Sequence, residues 1–156
     1  MQKTILTILL FSSALLGLTG CGGDGDDNNS MSTDARPTNW VPVTTDVDLR
    51  STMTIDVGIS LSNLYLNYQS SSTDLVAAFI NGTCRAVASP QTNEETGENI
   101  FYLTVKRLTN DESDAPVTLK FYSTQHRHIF TSTGLTYQPD AIIGTFDDPN
   151  KPVWTK

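Results

Sequence analysis

DLVAAFINGTCRAVASP, residues 74–90, decides the fold of this chain. Two runs of small, branched and aromatic residues flank Asn81-Gly82, and that dipeptide is the strongest short hairpin signal, because a type I′ turn needs positive φ at both central positions. A two-residue loop sets the register of the strands it joins. It pairs Ile80 with Thr83, Phe79 with Cys84, Ala78 with Arg85, Ala77 with Ala86 and Val76 with Val87. On that register Cys84 shares a dry face with Phe79, Ala77 and Ala86, where a thiol behaves as a small hydrophobe and its pKa rises. Arg85 emerges on the other face, and a charge among small apolar neighbours needs a partner. Asp74, at the mouth of the hairpin, is the nearest acid along the chain and the expected one. Asp74, Asn81, Gly82, Cys84 and Arg85 therefore read as a structural corner.

The same period of two recurs on either side. In STMTIDVGISL (residues 51–61), Met53, Ile55, Val57, Ile59 and Leu61 alternate with polar residues and glycine, as in a half-buried strand. NLYLNYQ (63–69) reads as a further strand, with Leu64, Leu66 and Tyr68 on one face and Tyr65, Asn67 and Gln69 on the other. IFYLTVKR (100–107) alternates Phe101, Leu103 and Val105 with Tyr102 and Thr104. PVTLKFYS (116–123) sets Val117, Leu119 and Phe121 against Lys120 and Tyr122. No helical periodicity follows Trp40. Short strands separated by polar loops such as SPQTNEETGEN and TNDESDAP predict an all-β fold, an antiparallel β-sandwich of Ig-like or jelly-roll-like type over residues 40–156.

The amino-terminal end has another character. MQKTILTILLFSSALLGLTGC carries Lys3, an apolar run from Ile5 to Leu18, and small residues up to Cys21, the layout of a secretory signal over residues 1–20. The run is too short to cross about 30 Å of hydrocarbon comfortably. Leu18-Thr19-Gly20-Cys21 resembles the lipobox of bacterial lipoproteins, which implies cleavage between Gly20 and Cys21 and acylation of Cys21. Several acyl chains on one cysteine give a stable membrane hold.

Residues 22–39, GGDGDDNNSMSTDARPTN, are glycine-rich, acidic and poor in apolar groups, and read as a flexible tether with a typical span of roughly 25 Å. Asp24-Gly25-Asp26-Asp27-Asn28 does not continue as a calcium loop, because the sixth and twelfth positions are Asn29 and Ala35 where glycine and glutamate are required. Acidic residues after a lipidated cysteine resemble the surface-export signals of Bacteroidetes lipoproteins, which implies display on the outer membrane. A periplasmic accessory role is the alternative.

The whole chain has ten basic and seventeen acidic side chains, for a formal charge of −7. Loss of Lys3 with the signal makes that about −8, a balance that disfavours nucleic acid and anionic lipid surfaces as partners. Two cysteines, one of them claimed by the lipid, leave Cys84 without a disulfide partner.

The hairpin stretch, with FYLTV and VTLKFY, is similar to a β-sandwich module of secreted and surface proteins of Bacteroidetes and related bacteria. The pattern there runs D-x-x-A-A-F-x-x-x-x-C-R-G-V-A, then Y-x-L-T-V, then a strand ending F-x-x-Y-D. NW-P, MTIDV and the terminal IIGTFDDPNKPV extend the likeness over residues 39–153. This chain departs at Ala86, where the family has glycine, and at Ser123, where the Tyr-Asp pair would end. The resemblance implies surface display with binding or accessory roles.

Other constellations are thin. His126 and His128 in HRHIF fall on one side if that segment is a strand, but a zinc site needs a third or fourth ligand. The serines of SSST and TSTG have no glycine-flanked elbow; Asp56 lies mid-strand, where one of a glycosidase's paired carboxylates could sit, but most acids fall in loops or the tether, where solvation explains them. The expectation is therefore a binding or adhesion module without turnover, cofactor or metal. A carbohydrate-binding module of a glycan-uptake system would use Tyr65, Asn67 and Gln69 with Tyr102 and Tyr122, because rings stack on sugar C–H groups and amides pair with hydroxyls. An envelope or extracellular protein is the alternative partner.

Overall fold

A computed structural model describes residues 33–156, so the signal segment, Gly20, Cys21 and most of the tether lie outside the described residues. The described part is an all-β sandwich of eight strands: β1 Met53–Gly58, β2 Leu75–Ile80, β3 Thr83–Ala88, β4 Gln91–Thr92, β5 Asn99–Val105, β6 Pro116–Ser123, β7 His128–Thr136 and β8 Ile142–Ile143. One sheet runs β4-β5-β1-β8 and the other β3-β2-β6-β7. Every pairing is antiparallel except β1 with β8.

The alternation read from β1, β5 and β6 is the alternation of the core. Met53, Ile55 and Val57 face Phe101, Leu103 and Val105 of the same sheet, and together they meet Val76, Ala78, Ile80, Val117, Leu119 and Phe121 of the other. Phe130, Tyr137 and Trp154 complete this core, the last from the chain's final residues. A second, smaller cluster lies on the outer face of the β3-β2-β6-β7 sheet, where Trp40 covers Ala77, Phe79, Cys84 and Tyr122. Trp40 meets Phe79 edge to face at 6.0 Å.

The hairpin turn forms as expected, with Asn81 at φ 51° and Gly82 at φ 75°. Its register holds for two pairs and then slips: Ile80 faces Thr83 and Phe79 faces Cys84, but Ala78 faces Ala86, Ala77 faces Val87 and Val76 faces Ala88. Arg85 is the extra residue of a β-bulge. The insertion breaks the parity between Cys84 and Ala86, so Cys84 joins the outer cluster while Ala86 enters the main core.

The second departure is NLYLNYQ, which folds as consecutive turns. Leu64 and Tyr65 both donate from their backbone N–H to the carbonyl of Leu61, at 2.8 and 2.7 Å, and Asn67 is left-handed at φ 60°. Leu64, Tyr65 and Tyr68 pack on the core while Leu66 is 89 % exposed. Spacing of one and four residues suits a turn, not an alternating strand.

The expected tether also ends early. Asp34 donates its N–H to the Arg127 carbonyl at 2.7 Å, accepts the Ile129 N–H at 2.8 Å on Oδ2, and pairs with His128 Nδ1 at 3.1 Å. Arg36 reaches the Thr73 carbonyl. This segment and Thr155, which exchanges two 2.9 Å backbone bonds with Thr131, cover the outer edge of β7. Val43 bonds to the Cys84 carbonyl at the edge of β3. Edges closed in this way resist pairing with other chains.

Candidate functional site

The polar residues singled out in the hairpin have partners within the fold, and not the ones expected. Arg85 Nη2 donates to both oxygens of Asp111, at 3.0 and 2.8 Å, and both side chains are nearly sealed from solvent. Asp111 also accepts the Leu108 N–H at 2.7 Å and the Asn81 amide at 3.3 Å. The expected Arg85–Asp74 pair is therefore replaced by a link across 26 residues. Arg107 extends it, with Nη1 on the Asp111 carbonyl and Nη2 on Asp48 Oδ2, both at 3.2 Å. The Arg50 backbone N–H and Arg107 hold the Asp48 carboxyl below its ordinary range, against the opposing effect of burial.

Asp74 is fully buried and serves as a latch. It takes the Tyr68 hydroxyl and the Ser71 N–H on Oδ2 and the Thr124 N–H on Oδ1, each at 2.7 Å. A carboxylate bound by three donors is well compensated in an apolar setting. Cys84 lies beneath Trp40; burial pushes its thiol pKa up, and its Sγ approaches the Ala86 carbonyl at 3.5 Å.

The two histidines do not share a face. His126 sits in the β6–β7 turn, stacked on Tyr65 with ring centroids 3.9 Å apart, while His128 begins β7, pairs with Asp34 and meets Phe130 edge on at 5.0 Å. Burial, and then the Lys156 ammonium, hold the His126 imidazole below its ordinary pKa. Among the described residues no three His, Cys, Asp or Glu side chains group as metal ligands would.

The five residues of the expected ligand face are scattered. Tyr65 packs against His126 and Phe130 with Lys156 Nζ 4.8 Å from its ring. Asn67 projects from its turn, and Gln69 lies exposed at the rim of a concavity. Tyr102 is half exposed on the outer face of β5, whereas Tyr122 is buried under Trp40 on the opposite sheet. The split follows from the turn at Asn67 and from the two tyrosines belonging to different sheets.

Two concavities stand out among the described residues. One, of about 320 Å³, is lined by Gly58, Ile59, Tyr68, Gln69 and Ser70 on one side and Thr96, Gly97, Glu98 and Asn99 on the other. Its walls are fixed. Asn93 is buried and receives the Glu95 and Thr96 N–H groups on Oδ1, while Gly97, at φ 71°, closes the turn onto the Asn93 carbonyl at 2.7 Å. Asn99 Nδ2 bonds to the Ser70 carbonyl at 2.7 Å, tying one wall to the other. Gly58 allows Pro149 and Lys151 to close over β1, since a Cβ there would lie 2.9 Å from Pro149 Cγ, and Lys151 Nζ meets Glu98 Oε1 at 2.9 Å.

The other, about 550 Å³, is a groove between β3, β5 and the segment 42–49. Val43, Val47, Leu49, Val87 and Tyr102 give it an aliphatic and aromatic surface, with Arg85 and Lys106 in its wall. Its Arg85 end is braced by the Asp111 link.

No protein-family model matches this chain, and searches of curated proteins and of solved structures likewise return no match.

Sequence reasoning found Gln69 but missed Tyr68, Thr96 and Asn99 as pocket residues. Asn93 and Gly97 in NEETG carried a turn signal, yet nothing local shows that this turn meets the 58–70 segment.

Proposed function

We propose that this chain is a bacterial lipoprotein, acylated at Cys21 and held at the outer membrane, whose β-sandwich faces outward and binds a partner without turnover. One contrast carries the binding half of this reading. The hairpin side chains singled out for chemistry, Cys84, Asp74 and Arg85, are engaged by the fold, while two concavities among the described residues carry polar side chains that are not. Neither concavity, among the described residues, sets a nucleophile against a base as covalent catalysis requires. Loop-built concavities on a braced scaffold are where binding residues usually reside. The anchoring half rests on the lipobox and the acidic segment that follows it.

Cys21→Ala tests the anchor: the variant should remain as precursor or soluble protein, and wild-type partition into detergent by that variant overturns it. External protease on intact cells tests the orientation. Cleavage is expected, and full protection overturns display in favour of the periplasmic role.

A further inference from the structure

We propose that the concavity between residues 58–70 and 96–99 binds a neutral sugar ring; this rests on the binding reading above and names its ligand. Its volume, about 320 Å³, sits at the lower end of the range for small-ligand sites and suits one ring with its substituents.

The wall chemistry selects the ligand. Among the described residues, the side chains of Gln69 and Ser70 make no hydrogen bond to protein, so the Gln69 amide offers both donors and acceptors at the rim. Thr96 Oγ1 accepts the Glu98 N–H and still has its hydroxyl proton to give. Asn99 is held by Thr92 and Ser70 and keeps one amide proton. Vicinal hydroxyls need mixed donors and acceptors of this kind. Tyr68 adds an aromatic ring; its hydroxyl is spent on Asp74 and burial drives its pKa far up, leaving a neutral surface against which sugar C–H groups can lie.

Charge argues the same way. Glu98, the sole carboxylate of the lining, is paired with Lys151 at 2.9 Å, so neither an anion nor a cation finds an unmatched opposite charge. The 550 Å³ groove, by contrast, is mainly aliphatic and lacks amides. Because the Asn99–Ser70 bond and the Asn93 turn set the walls beforehand, ordering them on binding costs little.

The test is an amide-resolved NMR titration of the full chain in a detergent without a sugar headgroup, using cellobiose, lactose and N,N′-diacetylchitobiose as probes. At least one probe should shift the amides of Gln69, Ser70 and Thr96 to Asn99. Gln69→Ala, an exposed change outside the fold's hydrogen bonds, should weaken that probe about tenfold. Tyr102→Ala, in the other groove, should leave it unchanged. Absence of shifts at these amides with all three probes, or wild-type affinity in Gln69→Ala, overturns the sugar inference.

A parallel arm separates this from the parent reading, by capturing envelope proteins on wild type and on Leu49→Asp. Capture lost in Leu49→Asp while the sugars stay silent removes the sugar inference alone. Silence in both arms removes both.

Discussion

The two sheets face each other across one core but are secured by different means. The β3-β2-β6-β7 sheet has four full strands, and side chains finish its outer face, with Trp40 laid over Phe79, Cys84 and Tyr122. The β4-β5-β1-β8 sheet has two long strands between two of two residues each, and beyond β8 the edge of β1 is closed by backbone. Gly144 N-terminally precedes a loop that returns to β1, where Asn150 donates its N–H to the Asp56 carbonyl at 2.8 Å and accepts from the Gly58 N–H at 2.9 Å. Asp56 is buried there, and desolvation raises its carboxyl pKa. The outer face of the first sheet thus depends on packed volume, which tolerates trimming by degrees. The β1 edge of the second depends on close backbone approach, which does not.

Asp74 uses a third means, fastening the 68–71 segment beside the concavity to the β6–β7 turn. Asp74→Ala leaves the Tyr68 hydroxyl and two backbone N–H groups without their acceptor. It should produce the largest loss, about 4 kcal/mol in chemical denaturation. A loss under about 1 kcal/mol would show that the loop and the turn hold without the latch.

Gly144→Ala should come next, at about 3 kcal/mol, because two costs coincide. Gly144 has φ 74°, and a Cβ would lie 2.5 Å from the Asn150 nitrogen and 2.8 Å from the Asp56 oxygen, both backbone atoms. Gly97→Ala is the sharpening control. It has a similar φ of 71° but open space around its Cβ, so it should cost about 1 kcal/mol. Equal losses in the two variants would mean that conformation alone, and not close approach, limits this side of the sandwich.

Trp40→Ala probes the packed face and should cost about 3 kcal/mol, the low end for a buried indole because Trp40 lies at the surface of its cluster. Its more telling readout is Cys84. The wild-type thiol is buried with a raised pKa and should react with a maleimide slowly until the chain unfolds. Removing the indole should speed native-state labelling. Fast labelling of wild type would contradict the burial of Cys84 in this cluster.

The same contrast governs what the sequence could reveal. β1, β5, β6 and the Asn81-Gly82 hairpin were legible because a half-buried strand writes its period into consecutive residues. The bulge at Arg85 was not, because nothing beside it in the chain marks it and the guanidinium's partner, Asp111, lies 26 residues away. NLYLNYQ misled because Leu64, Leu66 and Tyr68 imitate alternation, although Asn67, a residue that tolerates left-handed backbone, was a local warning. Trp154 belongs to the core only because the final residues return along β7. The concavities arise where distant loops meet, so Gln69 could be suspected from its chemistry while Asn99 could not.

The smallest expected effect concerns pH at the β6–β7 turn. His126 lies against Tyr65 and near Tyr68 and Phe130, with Lys156, Asp74 and His128 as the charged or titratable groups that bear on it. Burial, then Lys156, lowers its pKa from the ordinary 6.5, and the pull of Asp74 in the other direction is weaker. In the unfolded chain the imidazole takes up a proton near pH 6.5, whereas in the folded chain it does so only at lower pH. Unfolding therefore binds a proton within that interval. The stability that neutral His126 contributes is complete above about pH 6.5 and is lost as pH falls through the folded value. His126→Phe keeps an aromatic ring on Tyr65 and removes the titration. Denaturant midpoints measured from pH 7.5 down to pH 5 should therefore decline less in His126→Phe than in wild type, with the curves diverging below about pH 6.5. His128→Asn, measured alongside, reports the Asp34 contact separately. Parallel curves for wild type and His126→Phe would sink the assignment and leave His126 as a stacking residue whose protonation the fold does not sense.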